Sequence, residues 1–140
     1  MVGDECPARM KLFFVLGALQ TTSFWILADS GSARNLMSEA TFNKLPYRPP
    51  IVQKEGVHVV SGSNKEMSIQ GWAVIPMTFG PVILWHEFGI VPELPLEVLI
   101  GGDILAAHQC SLQYLKNRRK RLQFGTHDCT VCTLNKENRD

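Results

Sequence analysis

The segment Phe24-Trp25-Ile26-Leu27-Ala28-Asp29-Ser30-Gly31-Ser32 sets a carboxylate at the end of an unbroken apolar run. Its aromatic and β-branched residues mark the run as a strand. A charge there is costly to bury unless it is paired and hydrogen-bonded. The residues that follow can answer that need. Ser30 and Ser32 donate or accept locally, and Gly31 lets the backbone turn sharply and approach a partner. Taken alone, Asp-Ser-Gly is a three-residue pattern that usually means a capped turn, so its weight depends on what surrounds it.

Outward from this segment the chain reads mostly as strands. Residues 11–16 and 24–28 flank a polar turn region and predict a hairpin. Residues 57–60 and 68–79 form a second pair around Ser61-Gly62-Ser63-Asn64-Lys65, which has turn chemistry. Residues 82–91 form a strand bounded by Pro81 and Pro92. Val98-Leu99-Ile100, just before Gly101-Gly102, has the pattern of a short strand buried on both faces. Helix signals are few. One helix is expected over 38–45, with Ser38 as its N-cap and Pro46 beyond its end, and another over 103–108, capped by Asp103. Residues 112–115 and 121–124 predict a hairpin turning through 116–120. The sum is an all-β fold, a small closed barrel or sandwich with one short C-terminal helix. Residues 1–9 read as a leader available as a dimer strand, 10–125 as the domain, and 126–140 as a polar, frayed tail.

With 140 residues, 45% hydrophobic and 19% charged, the chain can build one globular core. A net charge of +1 offers no broad electrostatic case for nucleic acid or membrane, and neither partner is expected. The basic run Lys116-Asn117-Arg118-Arg119-Lys120-Arg121 reads as a solvated turn. Met10-Lys11 and the apolar residues after it imitate a signal peptide, but Gln20-Thr21-Thr22-Ser23 interrupts the run well short of the roughly 20 residues a spanning helix needs. Cys6, Cys110, Cys129 and Cys132 are too few for a disulfide framework, which fits a reducing compartment. Cys129-x-x-Cys132 near His127 has half of a zinc site's spacing and no second pair, so no metal is expected. Trp25, Trp72 and Trp85 read as packing or pocket-wall residues, and His108 as a structural residue of the last helix.

Two motifs about seventy residues apart carry a family resemblance. Asp29-Ser30-Gly31-Ser32 resembles the Asp-Thr/Ser-Gly-Ala/Ser signature of retropepsin-like aspartic proteases. Val98-Leu99-Ile100-Gly101-Gly102-Asp103-Ile104-Leu105 resembles their second signature, and His108-Gln109-Cys110-Ser111-Leu112 with the 122–124 strand is similar to the ending of Ddi-type and retrotransposon proteases. The resemblance spans residues 10–125. It implies a retropepsin barrel working as a homodimer on a peptide or polyprotein, without cofactor, in a cytoplasmic or virion-associated setting. Only one Asp-Ser-Gly is present, and Asp103 matches the helix-start position. The second catalytic aspartate is therefore expected from another copy of the chain.

The same resemblance assigns catalysis to Asp29 and substrate binding to Leu27, Ser30, Gly31, Ser32, Ala33 and Ile100. The flap would comprise Val60, Ser61, Gly62 and Ser63, with Gly62 near its tip, and further pocket walls would come from residues 94–100. Two departures stand out. Where viral enzymes pair an acidic residue with an arginine of the second motif, this chain has Ala33 and Gly102. Arg34 is expected to be a solvated surface residue. The alternative function is a catalytically inactive dimerisation or peptide-binding module that kept the fold.

Overall fold

The computed structural model describes residues 13–20, 22–54, 59–62 and 65–131. β1 (Phe13–Leu19) and β2 (Thr22–Ala28) form the expected hairpin, in register from Phe13↔Ala28 to Leu19↔Thr22. Alternate residues Val15, Leu19, Phe24, Ile26 and Ala28 face the core, as the pleat requires. β3 (Leu36–Ser38), β6 (Gly71–Phe79), β7 (Val82–Val91) and β8 (Val98–Ile100) complete a closed barrel in the order β1-β2-β8-β3-β7-β6. The barrel closes through two residue pairs, Ala18↔Thr78 and Leu19↔Met77. β8 is parallel to β2 and antiparallel to β3, and all three of its residues are buried, as its wholly apolar sequence predicts.

Phe79, Phe88, Met37, Ile75, Met77 and Ile104 are fully buried within the barrel. Each such side chain contributes about 1.5–3 kcal/mol through removal from water. A second apolar cluster gathers Phe14, Leu27, Leu36, Met67, Ile69, Trp72, Val91 and Leu99, with Trp25, Leu94 and Leu96 packed against it. Of the three tryptophans, Trp85 departs from its expected packing role. It projects from the outer face of β7 and is 65% exposed.

Several boundaries differ from the sequence reading for local reasons. α1 (Glu39–Asn43) is capped by Ser38 as expected, with Thr41 N–H donating to its Oγ at 3.1 Å. The strand expected over 68–79 is interrupted. β4 (Val59–Gly62) pairs with β5 (Lys65–Ser68) as a separate hairpin, and the chain breaks at Ile69-Gln70 before β6. Ile69 enters the second cluster and Gln70 N–H donates to Ile90 O at 2.7 Å. α2 (Gly102–Ala107) starts one residue earlier than expected, with Gly101 in the cap position and no side-chain cap. Asp103 is thus not the N-cap; its carboxylate accepts instead from Asn35 Nδ2 at 3.2 Å.

β9 (Cys110–Tyr114) and β10 (Lys120–Phe124) form the expected hairpin around a 3₁₀ turn, Lys116–Arg118, with Asn117 at φ 61°. Phe124 stacks on Phe79 at 4.5 Å between ring centroids and ties this sheet to the barrel. The fold does not end at residue 125. β11 (His127–Asp128) pairs with β10, Cys129 N–H donates to Leu122 O at 2.9 Å, and Val131 bridges Val15. Among the described residues, no helix is long and apolar enough to cross a membrane.

His108 caps the C-terminal end of α2, and its Nε2 lies 2.8 Å from Nε2 of His86 on β7. One ring must donate and the other accept, so the pair cannot hold two added protons in this geometry. Burial, followed by the His108 charge, lowers the His86 pKa, against a smaller raising effect of Asp103. A folded-state pKa below the unfolded value near 6.5 means that the unfolded chain binds the proton more readily. The stability contributed by His86 is therefore fully present above about pH 6.5 and is lost as pH falls through the lowered value. Thermal melts of the wild type should show this decline, and His86→Gln should flatten it.

Candidate active site

Asp29 leaves β2 directly beside β8, where the parallel pair ends at Ala28↔Ile100. Its N–H donates to Ile100 O at 2.9 Å, and its own carbonyl accepts from Ser32 N–H at 3.1 Å. The turn between them brings Gly31 N–H to 2.9 Å from Asp29 Oδ1. That bond fixes the carboxylate relative to its own loop. Asp29 is half-buried, while Ser30 and Gly31 are exposed. A Cβ added at Gly31 would stand 3.2 Å from the same Oδ1, so the tight turn favours glycine. Ser32 accepts from Arg34 N–H at 3.3 Å and donates to Arg34 O at 2.8 Å, closing the next part of the loop on itself.

The second motif locks this loop from behind. Gly102 N–H donates to Ser32 O at 2.6 Å. Gly101 N–H donates to Asn35 Oδ1 at 2.8 Å, and Asn35 Nδ2 reaches Glu87 O and Asp103 Oδ2, each at 3.2 Å. Asn35 O also accepts from Gly89 N–H at 2.8 Å. A single buried amide, 1% exposed, thus joins the Asp29 loop, the start of α2 and strand β7. Sequence reasoning passed over Asn35. The available signal was a polar residue set directly against the apolar run Leu36-Met37. Gly101 is required by proximity, since a Cβ there would lie 2.5 Å from Arg34 O and 2.6 Å from Ser32 O.

This lock bears on the two departures. Where an ion pair would join the motifs, Ala33 is exposed and Gly102 makes its link through the main chain. The segments stay joined without a buried charge, which would have needed a partner to be tolerated. Arg34 is exposed as expected, and its guanidinium sits 5.0 Å from the centroid of the buried Trp72 ring. Lys54 approaches the same ring at 4.7 Å and forms an ion pair with Glu87.

The remaining expected site residues fall in three places. Leu27 is buried in the second cluster with Met67 of the β4–β5 hairpin, and Leu94 and Leu96 pack against that cluster. Ile100 is fully buried in the barrel, and its carbonyl accepts from the Asp29 N–H. Val60, Ser61 and Gly62 lie in β4, paired with Met67, Glu66 and Lys65. Ser63 lies outside the described residues.

Away from this loop, burial pushes the Cys110 thiol up to about 11 and the Cys129 thiol up to about 12, so both stay protonated near neutral pH. The His127 ring packs against Gly80 at the β6–β7 turn. Among the described residues, no group of three or more side chains could hold a metal ion. Cys132 lies outside them.

A closed barrel with an Asp-Ser-Gly turn pinned to a Gly-Gly helix start is the retropepsin-like fold, and the solved structures agree. The retroviral protease-like domain of Ddi1 from Leishmania major superposes with a TM-score of 0.65 at 15% identity, covering 89% of this chain and 94% of that one. EIAV protease, solved with the inhibitor HBY-793, gives 0.61 at 19% identity, covering 74% and 93%. A retropepsin-like aspartic protease from Rickettsia conorii gives 0.56 at 12% identity, covering 91% and 89%. In sequence, the chain is 27% identical over 99 residues to protein DDI1 homolog 2 of Xenopus laevis. That match covers 71% of this chain and only a quarter of the relative's length. No protein-family profile matches the chain.

Proposed function

We propose that this chain is one half of an aspartic endopeptidase that hydrolyses peptide bonds as a homodimer, each copy supplying one Asp29. The observation that carries the proposal is the Asp29 carboxylate itself. It is half-buried, held by the Gly31 N–H, and set on a loop fastened to both β8 and α2. Such fixing lets a catalytic group act without reorganising its surroundings. Two such carboxyls roughly 3 Å apart across a two-fold axis could not both ionise and would share a proton. One would take a proton from the attacking water while the other protonates the scissile carbonyl oxygen.

The β4–β5 hairpin is the element we assign as the flap, closing over the peptide and excluding water. Leu27, Leu94 and Leu96 supply apolar surface, so apolar side chains beside the cut bond are the expected substrates. Cleavage of a polyprotein is the setting this reading favours.

Incubation with a mixed peptide library between pH 4 and 7 tests the proposal. Cleavage at apolar pairs is expected, with specific activity falling as the chain is diluted below its dimerisation constant. A chain that cleaves nothing, or cleaves equally well as a proven monomer, would overturn the reading. The first of those outcomes would leave the inactive binding module in its place.

A further inference from the structure

We propose that the β9–β10 hairpin and the cavity beside it form a binding site for single-stranded nucleic acid, separate from the Asp29 loop. Five of the chain's 14 basic residues fall between Lys116 and Arg121, and the rest of the chain carries nine against 13 acidic ones. A nearly neutral protein is therefore sharply polarised, with its positive charge gathered on one turn. From sequence alone that run reads as a solvated loop. The structure adds two features which a solvated loop does not need.

The first is an aromatic ring. Tyr114 is paired in register with Lys120 at the base of the turn, yet is 64% exposed. An exposed ring among cations suits stacking on an unpaired base, because every base presents a π-face. The second is a cavity of 370 Å³ lined by Leu115, Arg119, Lys120, Arg121, Asp128, Cys129 and Val131. Leu115, Cys129 and Val131 give it an apolar side, and the three basic residues a cationic side. Its single acid is already engaged, since Arg121 holds Asp128 through contacts of 2.9 and 3.5 Å. Arg119 and Lys120 are the other two cations of the lining. An apolar surface beside cations matches a nucleotide, base on one side and phosphate on the other. The exposed Tyr114 ring can stack on a base only if that base is unpaired, which favours a single strand over a double one.

Fluorescence anisotropy of the full chain with a labelled 12-nucleotide oligouridylate, titrated at 50, 100 and 200 mM NaCl, tests the site. Saturable binding is expected, its log affinity falling linearly with log salt at a slope of about −2 to −4, as three to five neutralised phosphates require. Arg119→Glu with Lys120→Glu should weaken binding at least tenfold. Tyr114→Ser should weaken it by about 5–100-fold, the range for loss of one stacked base. Arg48→Glu, a like charge change elsewhere on the surface, should leave it within twofold. Melting curves of each variant show whether its fold is kept. The proposal is overturned by an absence of saturable binding at 50 mM NaCl, or by Arg48→Glu matching the combined Arg119→Glu and Lys120→Glu change in effect. It is equally overturned if duplex RNA binds as tightly, or if polyglutamate competes as well as the oligonucleotide; the latter would make the turn a site for acidic peptides.

Discussion

Mixing equal amounts of wild-type chain and Asp29→Asn is expected to leave roughly a quarter of the peptidase activity shown by the same total of wild-type chain, because in the proposed homodimer only pairs of two intact copies would carry both carboxyls. Independent sites on each chain would leave half. The two results differ enough for one assay of initial rates to separate them, provided subunits exchange before measurement. Asp29→Asn alone should lose at least about 10²–10⁴-fold, the usual contribution of positioned acid–base groups. Its fold should survive. The carboxylate accepts a hydrogen bond from the Gly31 N–H, and an amide oxygen can also accept that bond, if more weakly. Loss of activity together with loss of the folded state would therefore point to a structural rather than a chemical role.

The second large effect concerns the lock behind the loop. Gly101→Ala would drive a methyl group to 2.5 Å from Arg34 O and 2.6 Å from Ser32 O. Both are main-chain atoms and cannot swing aside as a flexible side chain would. Overpacking of this kind costs about 1–3 kcal/mol, and the rigid neighbours put it at the upper end. Asn35→Ala attacks the same lock by removal. It leaves the Gly101 N–H buried without its acceptor and opens a gap between the loop, α2 and β7. A cost of about 2–3 kcal/mol follows, or roughly 10 °C in melting temperature for a domain of this size. Peptidase activity should fall further than the folded fraction does, since a loop only slightly displaced already misplaces Asp29. A Gly101→Ala chain that melts like wild type would show that the contact is softer than its distances imply.

The parts of this molecule written locally were readable from the sequence. Val98-Leu99-Ile100 is apolar at every position, and β8 is indeed buried on both faces between β2 and β3. Ser38 before a short amphipathic stretch made a cap, and it is one. The retropepsin-like fold was legible because two motifs about seventy residues apart end the neighbouring parallel strands β2 and β8. What escaped the reading depends on residues distant in the chain. Asn35 acquires its role from Gly101, 66 positions away, and nothing near Asn35 reveals that partner. Asp103 looked like a cap because it follows two glycines, but the same distant amide draws its carboxylate away. The break at Ile69-Gln70 is similar. The run from 68 to 79 has strand composition throughout, and the interruption arises where Gln70 meets Ile90. Trp85 shows the converse limit, since hydrophobicity alone does not say which face of a strand will be covered.

The way β1 sits in the barrel has a consequence for handling the protein. β1 pairs with β2 along its whole length but with β6 only at Ala18 and Leu19. Most of its other side is therefore a potential open edge, the kind of surface that recruits foreign strands and seeds aggregation. Residues 130 and 131 cover part of it, with Leu16 N–H donating to Thr130 O at 2.8 Å and Val131 bridging Val15. This short return of the chain therefore acts as a stopper. A version trimmed at residue 125, where the sequence alone suggests stopping, would keep the Asp29 loop yet expose a sticky flank, and would be prone to precipitate before its chemistry could be measured.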